Sequence, residues 1–107
     1  MAELNPAHAE LNITPSSDDG VPVLSVSGEL DMSNVERMRA AVASSGAARA
    51  GRLVFELSGL RFIDSAGIAV LLEASESIGS VSVRSPTPPV RRVIEITGLT
   101  EILPIES

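Results

Sequence analysis

Asp64 and Ser65 are adjacent residues placed where a serine hydroxyl could do chemistry. Before them runs Leu53-Val54-Phe55-Glu56-Leu57, short, apolar and rich in strand formers. After them runs Ile68-Ala69-Val70-Leu71-Leu72, apolar and free of β-branching in its second half. A buried strand should therefore lead into a loop, and the loop into a helix that begins at this pair. A helix N-terminus presents unpaired N–H groups and partial positive charge. A serine hydroxyl held there is exposed and oriented, in a field that favours an added phosphate. Asp and Ser are also preferred helix caps, so a purely structural role stands beside the chemical one.

Hydrolysis by Ser65 would need a base. The single histidine, His8, lies in residues 1–9, which carry no period and read as a loose tail. The surroundings of Ser65 also lack G-x-S-x-G, so no catalytic residue is assigned. Cysteine is absent, which excludes disulfides, thiolate metal sites and thiol redox switching; no metal or cofactor is expected. A net charge of −6 argues against a nucleic-acid surface. No apolar run reaches the roughly eighteen residues of a membrane span. The N-terminus has no basic region followed by an apolar core, so a secretory signal is not expected. A cytoplasmic protein without a membrane partner follows, with one domain over residues 10–107 behind the tail.

Several elements must position the pair. Glu10 to Thr14 alternates weakly as a first strand, and Pro15 to Gly20 is dense in turn formers. Val21 to Gly28 makes a second strand, with Pro22 restricted to an edge or a strand start. Gly28-Glu29-Leu30-Asp31 follows, where Asp31 ends the strand, caps what comes next, or meets a partner. Ser33 and Glu36 have the spacing of a capping box for a helix over Asn34 to Ser45. Ala47 to Gly51 reads as a connector, and Arg52 to Leu57 as a central strand broken by Ser58-Gly59. Leu60, Phe62 and Ile63 should tuck the next loop onto the core. Asp64 or Ser65 then caps a helix over Ala66 to Ile78, stopped by Gly79. Val81 and Val83 mark a fourth strand. Pro86 to Pro89 could serve as a polyproline ligand, but reads better as the start of a third helix with Thr87 as cap. Arg91 and Arg92 fall on that helix's exposed face, and Glu101 to Ile105 forms a last strand. The order β-β-α-β-α-β-α-β implies an α/β fold: a mixed sheet of about four to five strands, with right-handed crossovers and helices packed on it. Loops at the carboxyl ends of such strands carry function, so Asp31 and Asp64-Ser65 are expected on one rim.

In this order and spacing, Gly28-Glu29-Leu30-Asp31, Leu53 through Gly67 and Val90 through Gly98-Leu99 resemble STAS domains. The stand-alone bacterial anti-sigma factor antagonists are the nearest likeness, covering about Val21 to Leu103. The resemblance implies a partner switch. The unmodified antagonist binds an anti-sigma factor, a serine kinase of the histidine-kinase-like ATPase fold, and so frees the sigma factor. The kinase, using ATP and Mg²⁺, phosphorylates the serine after the aspartate, here Ser65, and abolishes binding. A PP2C-type phosphatase reverses the step. Asp31, Asp64, Ser65, Ala66 and Gly67 are the partner-binding positions the resemblance implies. Ala66 stands where the family often has a second serine, the Ile78–Val81 loop is short, and the usual long final helix is not seen. The alternative is an unphosphorylated STAS scaffold or ligand sensor.

Overall fold

The computed structural model describes residues 10–106; the expected tail and His8 lie outside them. The elements follow in the order β1 (Leu11–Asp18), β2 (Val21–Leu30), α1 (Val35–Ser44), α2 (Ala47–Ala50), β3 (Arg52–Ile63), α3 (Ser65–Ile78), β4 (Ser80–Arg84), α4 (Pro88–Ile96), a 3₁₀ turn (Leu99–Glu101) and β5 (Ile105–Glu106). The sheet order is β1-β2-β3-β4-β5, antiparallel between β1 and β2 and parallel thereafter. The expected mixed α/β sheet is therefore present.

The pairing register sorts the sheet into two kinds of row. Leu24, Phe55 and Val83 stand side by side and are fully buried. One residue on, Thr14, Ser25, Glu56, Arg84 and Glu106 form a polar row that points the other way. The apolar rows supply the core, which Met38, Leu71, Val90, Ile94 and Leu103 complete from the helices and the final loop.

Four elements differ from expectation. The first strand runs through Pro15-Ser16-Ser17-Asp18, and the hairpin turn is only Asp19-Gly20. Both turn residues have positive φ, as a two-residue turn of type I′ requires. Pro15 is tolerated because β1 is an edge strand. Ala47 to Ala50 is a helical turn rather than a plain connector. Ser58-Gly59 does not end the third strand. Against β2, β3 gains one residue between Glu56 and Gly59 and another between Leu60 and Phe62, and pairing resumes after each slip. The expected strand over Glu101 to Ile105 shrinks to Ile105–Glu106. Leu99 C=O accepts from Ile102 N–H (3.0 Å) and Leu103 N–H (2.7 Å), which coils the chain before Pro104 and buries Leu103.

Gly28 is fixed by close approach. Its φ is +97°, and an added Cβ would lie 2.0 Å from Glu10 C=O. That carbonyl accepts Glu29 N–H at 2.8 Å. Only glycine lets the start of β1 close over β2 here.

Candidate functional site

Leu30 and Ile63 are the last residues of two neighbouring parallel strands, and they pair directly. Asp31 and Asp64 each come next, so the two aspartates emerge side by side although 33 positions separate them in the chain. Asp64 N–H donates to Leu30 C=O at 3.2 Å, extending the pairing by one bond.

Asp64 is the helix cap. Its backbone is extended, with φ −106° and ψ −174°, and its Oδ1 accepts Gly67 N–H at 3.0 Å. The other oxygen, Oδ2, accepts Met32 N–H at 3.2 Å. One carboxylate thus caps α3 and holds the loop after β2. Ser65 is the first helical residue and is exposed. Among the described residues its hydroxyl has no hydrogen-bond partner, so it is free to accept a group at the positive end of α3. Helix α3 therefore begins at Ser65, one residue before the expected Ala66, and the open choice of cap falls to Asp64.

Asp31 is held differently. Its Oδ1 accepts both Ser33 N–H (2.9 Å) and Ser33 Oγ–H (2.6 Å). The expected capping box between Ser33 and Glu36 does not form: Asp31 accepts the Ser33 N–H that Glu36 would take, and Glu36 pairs with Arg39. Asn34, 6% exposed, organises the loop instead. Its Oδ1 accepts Asp31 N–H at 3.0 Å and its Nδ2 donates to Glu29 C=O at 2.9 Å. Sequence reasoning missed Asn34 as anything but a helix start. The signal was an amide side chain that can both donate and accept within a tight turn.

Gly67 lies under the rim rather than on it. A Cβ there would meet Ile63 Cγ1 at 2.6 Å and Leu30 C=O at 3.0 Å, so the first turn of α3 sits tightly on both strand ends. Ala66 is half-buried beside it. Phe62, expected in the core, is 50% exposed, because the first slip in β3 turns Leu60 inward and the second turns Phe62 out and Ile63 inward. Met32 is 79% exposed. Glu29 is not simply solvated: it accepts Glu10 N–H at 3.1 Å and pairs with Arg61. Thr87 precedes α4 as expected, but its hydroxyl donates to Leu60 C=O at 2.6 Å instead of capping. Among the described residues no group of three or more His, Asp or Glu could hold a metal ion, and no helix is long and apolar enough to cross a membrane.

The family model that matches residues 13–104 is described as "Mlab, STAS domain". The chain is 32% identical over 100 residues to the anti-sigma F factor antagonist of Paenibacillus polymyxa, covering 89% of this chain and 86% of that one. It is 32% identical over 92 residues to the anti-sigma-F factor antagonist RsfB of Mycobacterium tuberculosis, covering 83% and 75%. The crystal structure of an anti-sigma factor antagonist from Mycobacterium paratuberculosis superimposes with a TM-score of 0.82 at 32% identity, covering 90% of this chain and 85% of that one.

Proposed function

Because this chain belongs to the STAS-domain family, we propose that it acts as an anti-sigma factor antagonist in a phosphorylation-controlled partner switch. The unmodified protein binds an anti-sigma factor that is also a serine kinase of the histidine-kinase-like ATPase fold, and the sigma factor is released. The kinase transfers the γ-phosphoryl group of ATP, with Mg²⁺, to the Ser65 hydroxyl, and binding ends. A PP2C-type phosphatase restores the hydroxyl. The chain works by binding, in the cytoplasm, and contributes no catalytic group of its own.

The observation that carries this reading is the placement of Ser65. It is exposed, it opens α3, and it follows a carboxylate fixed by two backbone N–H groups. Phosphate would add roughly −1.5 to −2 charges there. The helix N-terminus tolerates the charge, so α3 need not melt. Asp64 stays beside it as a like charge. A partner surface fitted to a neutral hydroxyl would then have to desolvate the phosphate. A tenfold loss of affinity needs only about 1.4 kcal/mol. A buried, uncompensated charge costs roughly 3–5 kcal/mol, which is enough without refolding the domain.

The test is intact mass after incubation with ATP, Mg²⁺ and a candidate kinase from the source organism, on wild type and Ser65→Ala. One phosphoryl group is expected on wild type and none on the variant. In a binding assay, Ser65→Asp should weaken the complex and Ser65→Ala should keep it. No phosphoryl gain from a demonstrably active kinase, with equal binding by all three forms, would instead mark an unphosphorylated scaffold or ligand sensor.

A further inference from the structure

Four large apolar side chains are strongly exposed among the described residues: Met32, Phe62, Ile96 and Ile102. Two of them border the Ser65 corner. Met32 is held there through its backbone, since its N–H is fixed by the same carboxylate that caps the Ser65 helix. Phe62 is the next-to-last residue of the strand that delivers Asp64. A loop pinned by a hydrogen bond while its methionine projects into water gains nothing for the core from that side chain. Methionine is also an adaptable contact residue, suited to filling a partner's recess.

Resting on the reading proposed above, we propose that Met32 and Phe62 are the apolar anchors by which the antagonist docks on its anti-sigma kinase. The occupant is an apolar recess beside the kinase's nucleotide site, flanked by a basic side chain. Continuity places it: a kinase that reaches the Ser65 hydroxyl must also cover the Asp64-bound loop that carries Met32. Charge complementarity supplies the flank. Asp31 gives one oxygen to Ser33 and leaves the other without a partner among the described residues. The chain as a whole carries −6. Apolar anchors also explain how one phosphate could break the complex, because it would have to be desolvated beside a dry contact.

The test uses the full chain and the source-organism kinase selected for phosphorylating wild type at Ser65. Binding is measured for wild type, Met32→Ala, Met32→Glu, Phe62→Ala, and the distant Ile96→Ala and Ile102→Ala. Thermal unfolding of each variant accompanies the titration. The expected result is a loss of about tenfold or more for each Met32 and Phe62 variant, with folding retained and the two isoleucine variants unchanged. Wild-type affinity in the Met32 pair or in Phe62→Ala would overturn the anchor assignment while leaving the switch intact. Equal losses in the isoleucine variants would overturn it too. If no kinase of the organism phosphorylates or binds wild type, the switch falls, and the anchors fall with it.

Discussion

Asp64 accepts the backbone N–H of Met32 at 3.2 Å, joining two loops that lie 32 residues apart in the chain. The same carboxylate caps α3 through Gly67. The position of Ser65 and the position of the Met32 loop therefore depend on one side chain.

Replacing that side chain tests the dependence. Asp64→Ala should lower stability by about 1–2 kcal/mol, the usual loss for a helix cap, with the orphaned Met32 N–H placing it near the upper end. Asp64→Asn keeps an acceptor for one of the two bonds and should lose less. Urea denaturation at neutral pH gives both numbers, and equal stability of all three proteins would show that neither hydrogen bond contributes.

Asn34 makes a sharper case, because it is buried and satisfies two backbone groups at once. Asn34→Ala should cost about 2–3 kcal/mol, since a buried polar group left unpaired loses its full desolvation penalty. Amide hydrogen exchange should accelerate at Asp31 in particular. A small loss with unchanged exchange would mean that water replaces the amide freely.

The glycines separate strain from steric exclusion. Gly20→Ala meets open space and carries only the penalty of a positive φ, about 1–2 kcal/mol. Gly28→Ala adds a Cβ 2.0 Å from Glu10 C=O, and should fall in the tail of point substitutions, above roughly 4 kcal/mol. Comparable midpoints for the two variants would refute the close approach.

Glu106 gives a pH signature. Donation from the Ser82 hydroxyl, and then the Arg84 guanidinium, holds its carboxyl below the ordinary value. A depressed folded-state pKa stabilises the protein above the unfolded-state pKa, and that contribution is lost as pH falls through the folded-state value. Ser82→Ala removes the largest cause. Its stability should lie below wild type at neutral pH, and the gap should narrow in acid. A gap that widens on acidification would reverse the assignment.

The element order and the side-by-side placement of Asp31 and Asp64 were legible because strand runs, glycine stops and helical spacing all agreed. Asp64 and Ser65 cannot be ranked as cap from sequence, since both types suit that position; the extended backbone of Asp64 and its Oδ1 bond to Gly67 N–H decide it. The Ser33–Glu36 box looks favourable by spacing and fails because Asp31, two residues before Ser33, accepts the Ser33 N–H that the Glu36 carboxylate would have to take. Ser58-Gly59 reads as a break because local propensity cannot see that a neighbouring strand will carry pairing across a bulge. Phe62 was misplaced for the same reason. The β1 extension was hidden by its polar residues, which suit an edge strand with one face outward.

The two slips in β3 have an arithmetic of their own. Counted by strict alternation from Leu53, Ile63 falls on the inward face, and it is indeed buried. One extra residue alone would reverse that parity; two restore it. Leu57, Leu60 and Ile63 then all face inward at intervals of three, while the strand's end still delivers Asp64 and Ser65 to the rim. Losing the extra residue between Leu57 and Leu60 would put those two leucines at plain alternation, and the second slip would still turn Phe62 out and Ile63 in, so the corner would stay where it is. Losing the extra residue from each slip would leave plain alternation through Leu57, Leu60 and Ile63, again with the corner in place. In this strand the two slips are the places where the length can change by one without moving the site.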